Sequence, residues 1–188
     1  MPWVPEAVAA VLTGVALAAS AGFRVFLPLL AVGVAGRWAG FPVAPALSWV
    51  TTDAALVMFA AAAIAEFAAD KVPAVDHALD AAQTFLSPVA GALVLLGPAL
   101  ALTPAYGIAL AIVAGAPVAG LVHATTATAR VKSSLGTGGA ANPVLSVVED
   151  VLALLTIVVG FLLPLLALLA VAWLIMRRWR TTSTPAHP

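Results

Sequence analysis

The sequence predicts an all-α protein that crosses a membrane several times, and its composition carries the prediction. Of the 188 residues, 63% are hydrophobic and 9% are charged, and the mean hydropathy is +1.13. A water-soluble domain has roughly a quarter of its residues charged, so a soluble protein is excluded. The net charge is zero, without the basic excess of a nucleic-acid binder. Cysteine is absent, which excludes disulfides and cysteine nucleophiles.

Five apolar stretches are the predicted membrane spans. A helix needs about 20 apolar residues to cross the hydrocarbon core of a bilayer. The stretches cover residues 7–36, 53–70, 88–102, 105–129 and 151–176. Gly160 and Pro164 could split the last stretch, and the count would then be six. We therefore expect residues 1–180 to form a single transmembrane helical domain, followed by a polar tail at 181–188.

The first stretch is longer than one membrane crossing requires. A straight helix from Trp3 to Trp38 would measure about 52 Å, well beyond the hydrocarbon thickness. Gly22 and Pro28 both weaken a helix near its middle. We therefore expect a break or a strong tilt in this stretch.

Residues 74–86 read as an amphipathic helix between the second and third stretches. Asp76, His77 and Asp80 fall on its polar face, opposite an apolar face. This pattern predicts an interfacial helix that lies flat in the headgroup layer. Alternatively, these three side chains are candidate metal ligands that join Glu66 and Asp70 at the mouth of a cation path.

Arg24 and Glu66 are ionisable residues inside apolar stretches. An arginine at the centre of a membrane helix costs about 2.5–3.5 kcal/mol on insertion scales, so Arg24 needs a partner. Glu66 and Glu149 are the predicted partners. The pair would either line a transport path or lock two helices together.

Two further residues complete the candidate path, which comprises Arg24, Glu66, Asp70, His123, Asn142 and Glu149. His123 lies within the fourth stretch, where a histidine is either a proton carrier or a structural residue. Asn142 precedes Pro143 and follows a glycine-rich loop, so it marks a helix start. That loop is either an anion site or a solvated hairpin connection.

The motifs resemble a known family. Residues 20–30 read SAGFRVFLPLL, Glu66 is followed by Pro73 and Asp76, and residues 137–143 read TGGAANP. Together they are similar to a family of small bacterial membrane proteins, domain of unknown function 4126. The resemblance implies a multi-pass protein of the bacterial inner membrane, and it implies no established activity.

The two halves of the chain also resemble each other. Gly22 and Arg24 correspond to Gly120 and His123, and Glu66 corresponds to Glu149. With one extra span between the halves, this pattern predicts an inverted repeat like those of many transporters.

These features favour a small transporter or channel for an ion or small solute. The alternative is a non-transporting membrane scaffold or assembly partner whose charged residues form structural pairs. We expect neither enzymatic activity nor a cofactor, because no nucleophile–base or metal motif is present. The expected partners are the lipid bilayer, a second copy of the chain in a dimer and a small ion or solute, without nucleic acid.

Overall fold

The protein is all-helical, as predicted. The computed structural model describes residues 4–69, 73–100 and 102–182, and no strand occurs among them. The α-helices are α1 (Val4–Phe23), α2 (Phe26–Trp38), α3 (Asp53–Ala69), α4 (Pro73–Ala99), α5 (Pro104–Leu110), α6 (Ala116–Thr137) and α7 (Asn142–Thr182). A 3₁₀ segment, Pro45–Thr51, precedes α3, and a π segment, Ala111–Gly115, joins α5 to α6.

Charged residues of several helices meet at one end of the bundle. Arg24, which follows α1, pairs with Asp150 in the early part of α7. Arg130, in the last third of α6, pairs with Asp76 in the first turn of α4. Thus α1 and α6 end where α4 and α7 begin, and we call this region the charged end. The opposite half of α1, α4 and α6 is the glycine end.

The first predicted span is a helical hairpin. α1 stops at Phe23 and α2 begins at Phe26. Gly14 near the middle of α1 packs on Leu95 in α4, and Pro42, which follows α2, contacts Gly97 in α4. The chain therefore returns to the region it came from, and residues 7–36 are two antiparallel helices rather than one crossing.

The prediction of a separate interfacial helix is wrong. Residues 74–86 continue into the third apolar stretch as one helix, α4. Asp76 and Gln83 on its polar face are buried, whereas Val75 and Phe85 on its apolar face are 46% and 76% exposed. Asp76 and Gln83 therefore pack against other helices, whereas His77 on the same face remains exposed. Sequence reasoning assigned the whole face to solvent, but in a bundle surrounded by lipid its buried members face inward.

Three described helical segments are long and apolar enough to cross a membrane: Val75–Ala99, Pro104–Thr137 and Asn142–Leu162. The pair Pro45–Thr51 and Asp53–Ala69, bent by 68°, would make a fourth, and Ala7–Phe23 and Phe26–Trp38 are shorter apolar helices. α7 continues through Gly160 and Pro164, so the break that would create a sixth span there is absent from the described backbone.

The helix directions do not fit the predicted inverted repeat. α1 and α6 both run towards the charged end, antiparallel to α7, because Ser20 contacts Ala153 and Arg130 contacts Glu149. An inversion would make α1 and α6 antiparallel to each other. Gly22 instead lies directly against Ala119, so the two matching segments pack side by side in the same direction.

Glycines bring helix backbones into contact at the glycine end. A Cβ atom on Gly91 of α4 would lie 2.5 Å from the carbonyl oxygen of Gly115, and a Cβ atom on Gly115 would lie 2.7 Å from that of Gly91. Small residues allow this close approach, which is a main source of packing energy between membrane helices. The contact between Gly91 and Gly115 holds α4 against the π segment at the glycine end.

Candidate functional site

The candidate site is the set of buried polar side chains at the charged end. They come from α3, α4, α6 and α7 and from the break between α1 and α2. Its buried members are Arg24, Glu66, Asp76, Gln83, His123, Arg130, Ser146 and Glu149. We call this set, with the partly buried Asp80 and Asp150 and the exposed Thr84, the charged cluster.

Arg24 joins the helix break to α7. Its side chain is 1% exposed, and its guanidinium lies 2.5 Å from Oδ1 of Asp150. Nη2 also donates to Oγ and to the carbonyl oxygen of Ser146, at 3.1 and 3.3 Å. Ser146 and Asp150 are four residues apart and therefore share one face of α7. This described ion pair uses Asp150, the neighbour of the predicted partner Glu149.

Glu66 caps a helix to which it does not belong. Its carboxylate accepts the backbone N–H groups of Val25, at 2.9 Å, and Phe26, at 3.3 Å, at the start of α2. Gln83 of α4 donates its side-chain amide to the same carboxylate at 2.5 Å. These three described partners are donors, and the helix N-terminus carries positive partial charge, so the arrangement suits the acceptor oxygens of a carboxylate.

Arg130 is the centre of the second half of the cluster. Its guanidinium makes a two-pronged contact with Glu149 of α7, with Nε at 3.1 Å from Oε1 and Nη2 on Oε2. Nη1 binds Oδ1 of Asp76 and lies 3.6 Å from Oδ1 of Asp80, both on α4. One guanidinium therefore links α6 to carboxylates on two other helices.

His123 lies on the face of α6 that packs against α4. Its side chain is buried, and Nε2 lies 3.4 Å from the hydroxyl oxygen of Thr84 in α4. Thr84 also donates to the carbonyl oxygen of Asp80. His123 is seven residues before Arg130, so both face α4.

Asn142 belongs to the connection between α6 and α7. Its side-chain amide donates to Oγ of Ser134 at 3.0 Å. The intervening loop turns at Gly138 and Gly139, whose positive φ angles of 62° and 86° favour glycine. The described contact of Asn142 thus closes the helical hairpin.

The remaining residues that the sequence predicts for the site are Asp70 and the candidate metal ligands Asp76, His77 and Asp80. Asp70 lies outside the described residues. His77 is exposed, whereas Asp76 and Asp80 face Arg130. Over the described parts of the chain, no group of three or more His, Asp or Glu side chains is arranged to hold a metal ion.

The predicted path omits Arg130 and Asp150, although both form ion pairs in the cluster. Arg130 shares a helical stripe with His123, and Asp150 follows Glu149 directly. A buried basic residue on the same stripe as an intramembrane histidine is the signal that could have identified Arg130.

Carboxylates outnumber guanidinium groups in the described cluster. Five carboxylates, those of Glu66, Asp76, Asp80, Glu149 and Asp150, stand with the guanidinium groups of Arg24 and Arg130. Most of these side chains are buried, but Asp80 and Asp150 remain 24% and 23% exposed. The cluster is therefore acidic, and two of its carboxylates are accessible at its edge.

Comparison with known proteins identifies the family of the chain. No curated protein and no solved structure matches the chain. A family model described as a domain of unknown function, DUF4126, matches residues 11–182, which is nearly the whole chain. It includes the helix break at Arg24, Glu66, the Arg130 centre and the start of α7. The chain therefore belongs to the DUF4126 family.

Proposed function

We propose that the protein is a small transporter or channel of the bacterial inner membrane that carries a cation through the charged end of the bundle. The observation that carries the proposal is the acidic cluster inside a helix bundle with an apolar exterior. Ionisable groups are costly in a membrane and are typical of ion pathways and proton relays. Asp80 and Asp150 are the points where a cation would enter.

The Arg130 centre supports a cation rather than an anion as the substrate. Arg130 contacts Asp76, Asp80 and Glu149, so three carboxylates converge on one positive charge. An incoming cation could take over one of these carboxylates while Arg130 keeps the others. Asp80 is the natural position for this exchange, because it is the most distant and most exposed of the three.

A scaffold without transport activity is the second candidate function. Glu66 favours it, since its carboxylate is occupied by two backbone N–H groups and by Gln83. An anion bound in this way stabilises the helix break. If Arg24 and Arg130 have the same purely structural role, the cluster holds helices together and conducts nothing.

Cation flux through the purified protein in liposomes separates the two candidates. We expect K⁺, Na⁺ or H⁺ gradients to dissipate faster than in protein-free liposomes, as read by an ion-sensitive dye. Asp80→Asn removes one of the two accessible carboxylates and should slow the flux several-fold. The matched control is Asp53→Asn, because Asp53 is 82% exposed and pairs with Arg37 outside the cluster.

If the protein is a scaffold, the flux assay should give different results. Flux equal to that of empty liposomes for all three cations would remove the proposed transport of these ions. Equal flux for the wild type and both variants would place the ion path outside the cluster.

A further inference from the structure

We propose that the outward face of α6 binds one anionic phospholipid, with the lipid phosphate on Lys132. The site is a shallow open surface along one face of α6, which we call the groove, and it is lined by Leu121, Ala124, Thr125, Thr128, Ala129 and Lys132. The residues follow one another at helical spacing, so a hydrocarbon chain could lie along this surface. The inference is independent of the proposed transport activity.

The groove is apolar along most of its length. Thr125 donates its hydroxyl to the carbonyl oxygen of Leu121, and Thr128 donates to that of Ala124, at 2.8 and 2.7 Å. Both hydroxyls are therefore used within the helix, and the threonine methyl groups line the groove with the alanines. This surface suits an acyl chain, which offers no hydrogen bonds.

The polarity of the groove matches that of a phospholipid. Lys132 is eleven residues after Leu121, which corresponds to about 16 Å along the helix, close to half the thickness of the hydrocarbon core. The apolar part of the groove thus has the length of one membrane leaflet. Lys132 stands at the end nearest the α6–α7 connection, where a headgroup phosphate would lie.

Lys132 is available to bind an anion at this position. It is exposed, and no described side chain forms an ion pair with it. One turn further along, Leu135 is 84% exposed, so the lysine stands on an otherwise apolar outward face. A charge on such a face is unfavourable in lipid unless it reaches the interface or meets an opposite charge. A phosphate supplies that charge.

A second copy of the chain fits the face less well. Two copies in one membrane, related by a twofold axis along the membrane normal, would present the same α6 face to each other. Lys132 would then approach Lys132 of the partner subunit, and like charges repel. Charge complementarity therefore favours the anionic lipid.

Lipid retention by the purified full chain tests this site. Native mass spectrometry would compare dioleoyl phosphatidylglycerol with dioleoyl phosphatidylcholine, which have the same acyl chains and differ in net charge. We expect the wild type to retain phosphatidylglycerol preferentially. Lys132→Gln should reduce that preference about fivefold, the contribution of one lysine near an anionic membrane surface.

Two variants separate the groove from general surface charge. Ala124→Leu fills the apolar part and should reduce retention of both lipids. Arg37→Gln removes another exposed cation outside the groove and should leave the preference unchanged. Equal retention by the wild type and Lys132→Gln, or loss of preference in Arg37→Gln, would overturn the proposal. Efficient crosslinking between copies through Thr125→Cys would also overturn it, because a second copy would then cover the face.

Discussion

The charged end and the glycine end hold the same helices together by different physical means. At the charged end, Arg130 of α6 meets carboxylates of α4 and α7. At the glycine end, α4 and the π segment that leads into α6 meet through the backbones of Gly91 and Gly115. Hydrophobic association between helices is weak in lipid, so both close packing and polar contacts are needed.

The comparison separates a rigid region from one that can rearrange. Backbone contacts between glycines have a single close-fitting arrangement, because no side chain can move to relieve a change. A guanidinium among three carboxylates has several alternative pairings of similar geometry. We therefore expect any conformational change to occur at the charged end, with the glycine end acting as its fixed support.

Replacing Arg130 should have the largest effect on stability. Arg130→Gln leaves Asp76 and Glu149 buried without their guanidinium, and breaking a buried ion pair by removing one partner costs about 3–5 kcal/mol. The free energy of unfolding would be measured by titration with denaturing detergent in mixed micelles. The matched control is Arg37→Gln, which breaks an exposed pair with Asp53 and should cost about 0–1 kcal/mol.

Similar losses for the two arginine variants would contradict the distinction between them. That result would mean that the charged cluster is well solvated and that its ion pairs behave like those on a surface.

A methyl group at the glycine end should have the next largest effect. In Gly91→Ala the new Cβ atom would lie 2.5 Å from Gly115 O and 2.5 Å from the Cβ atom of Ala119. Overpacking of this kind costs about 1–3 kcal/mol. Gly136→Ala in α6 is the control, because no atom lies within 4 Å of its new Cβ atom, and alanine is favoured over glycine in a helix by up to about 1 kcal/mol.

The two glycine variants should therefore change the unfolding free energy in opposite directions. A stabilised Gly91→Ala protein would show that the helices at the glycine end are further apart than these contacts imply.

Composition and hydropathy were sufficient to predict an all-α membrane bundle, but the helix boundaries depended on tertiary contacts. The third predicted span begins at Pro88, whereas α4 passes through that residue. A proline removes one backbone donor, and packing against neighbouring helices compensates for that loss. The reversal at Arg24 depends on Glu66, which is far away in sequence and caps the new helix.

The site was predicted in part for a related reason. Arg24 and Glu66 were expected to be buried because apolar stretches surround them, and both are. The described partner of Arg24, Asp150, could not be distinguished from Glu149, since consecutive residues point in directions about 100° apart on a helix. Which of the two faces α1 is decided by how α7 packs, and the local sequence does not contain that information.

Replacing Glu66 should have the smallest of the three effects on stability. The substitution tests whether this carboxylate acts mainly as a helix cap. Glu66→Gln keeps one acceptor oxygen for Val25 N–H but turns an amide donor towards Phe26 N–H or Gln83. The loss should be about 0.5–2 kcal/mol, as for other helix N-caps. Asp53→Asn, which replaces an exposed acid in the first turn of α3, should cost less stability.

The flux assay gives a second measurement for Glu66→Gln, because loss of a helix cap should alter stability while leaving the cation flux of the folded protein nearly unchanged. If Glu66→Gln retains full stability and abolishes flux, Glu66 belongs to the ion path and its role as a structural cap is wrong.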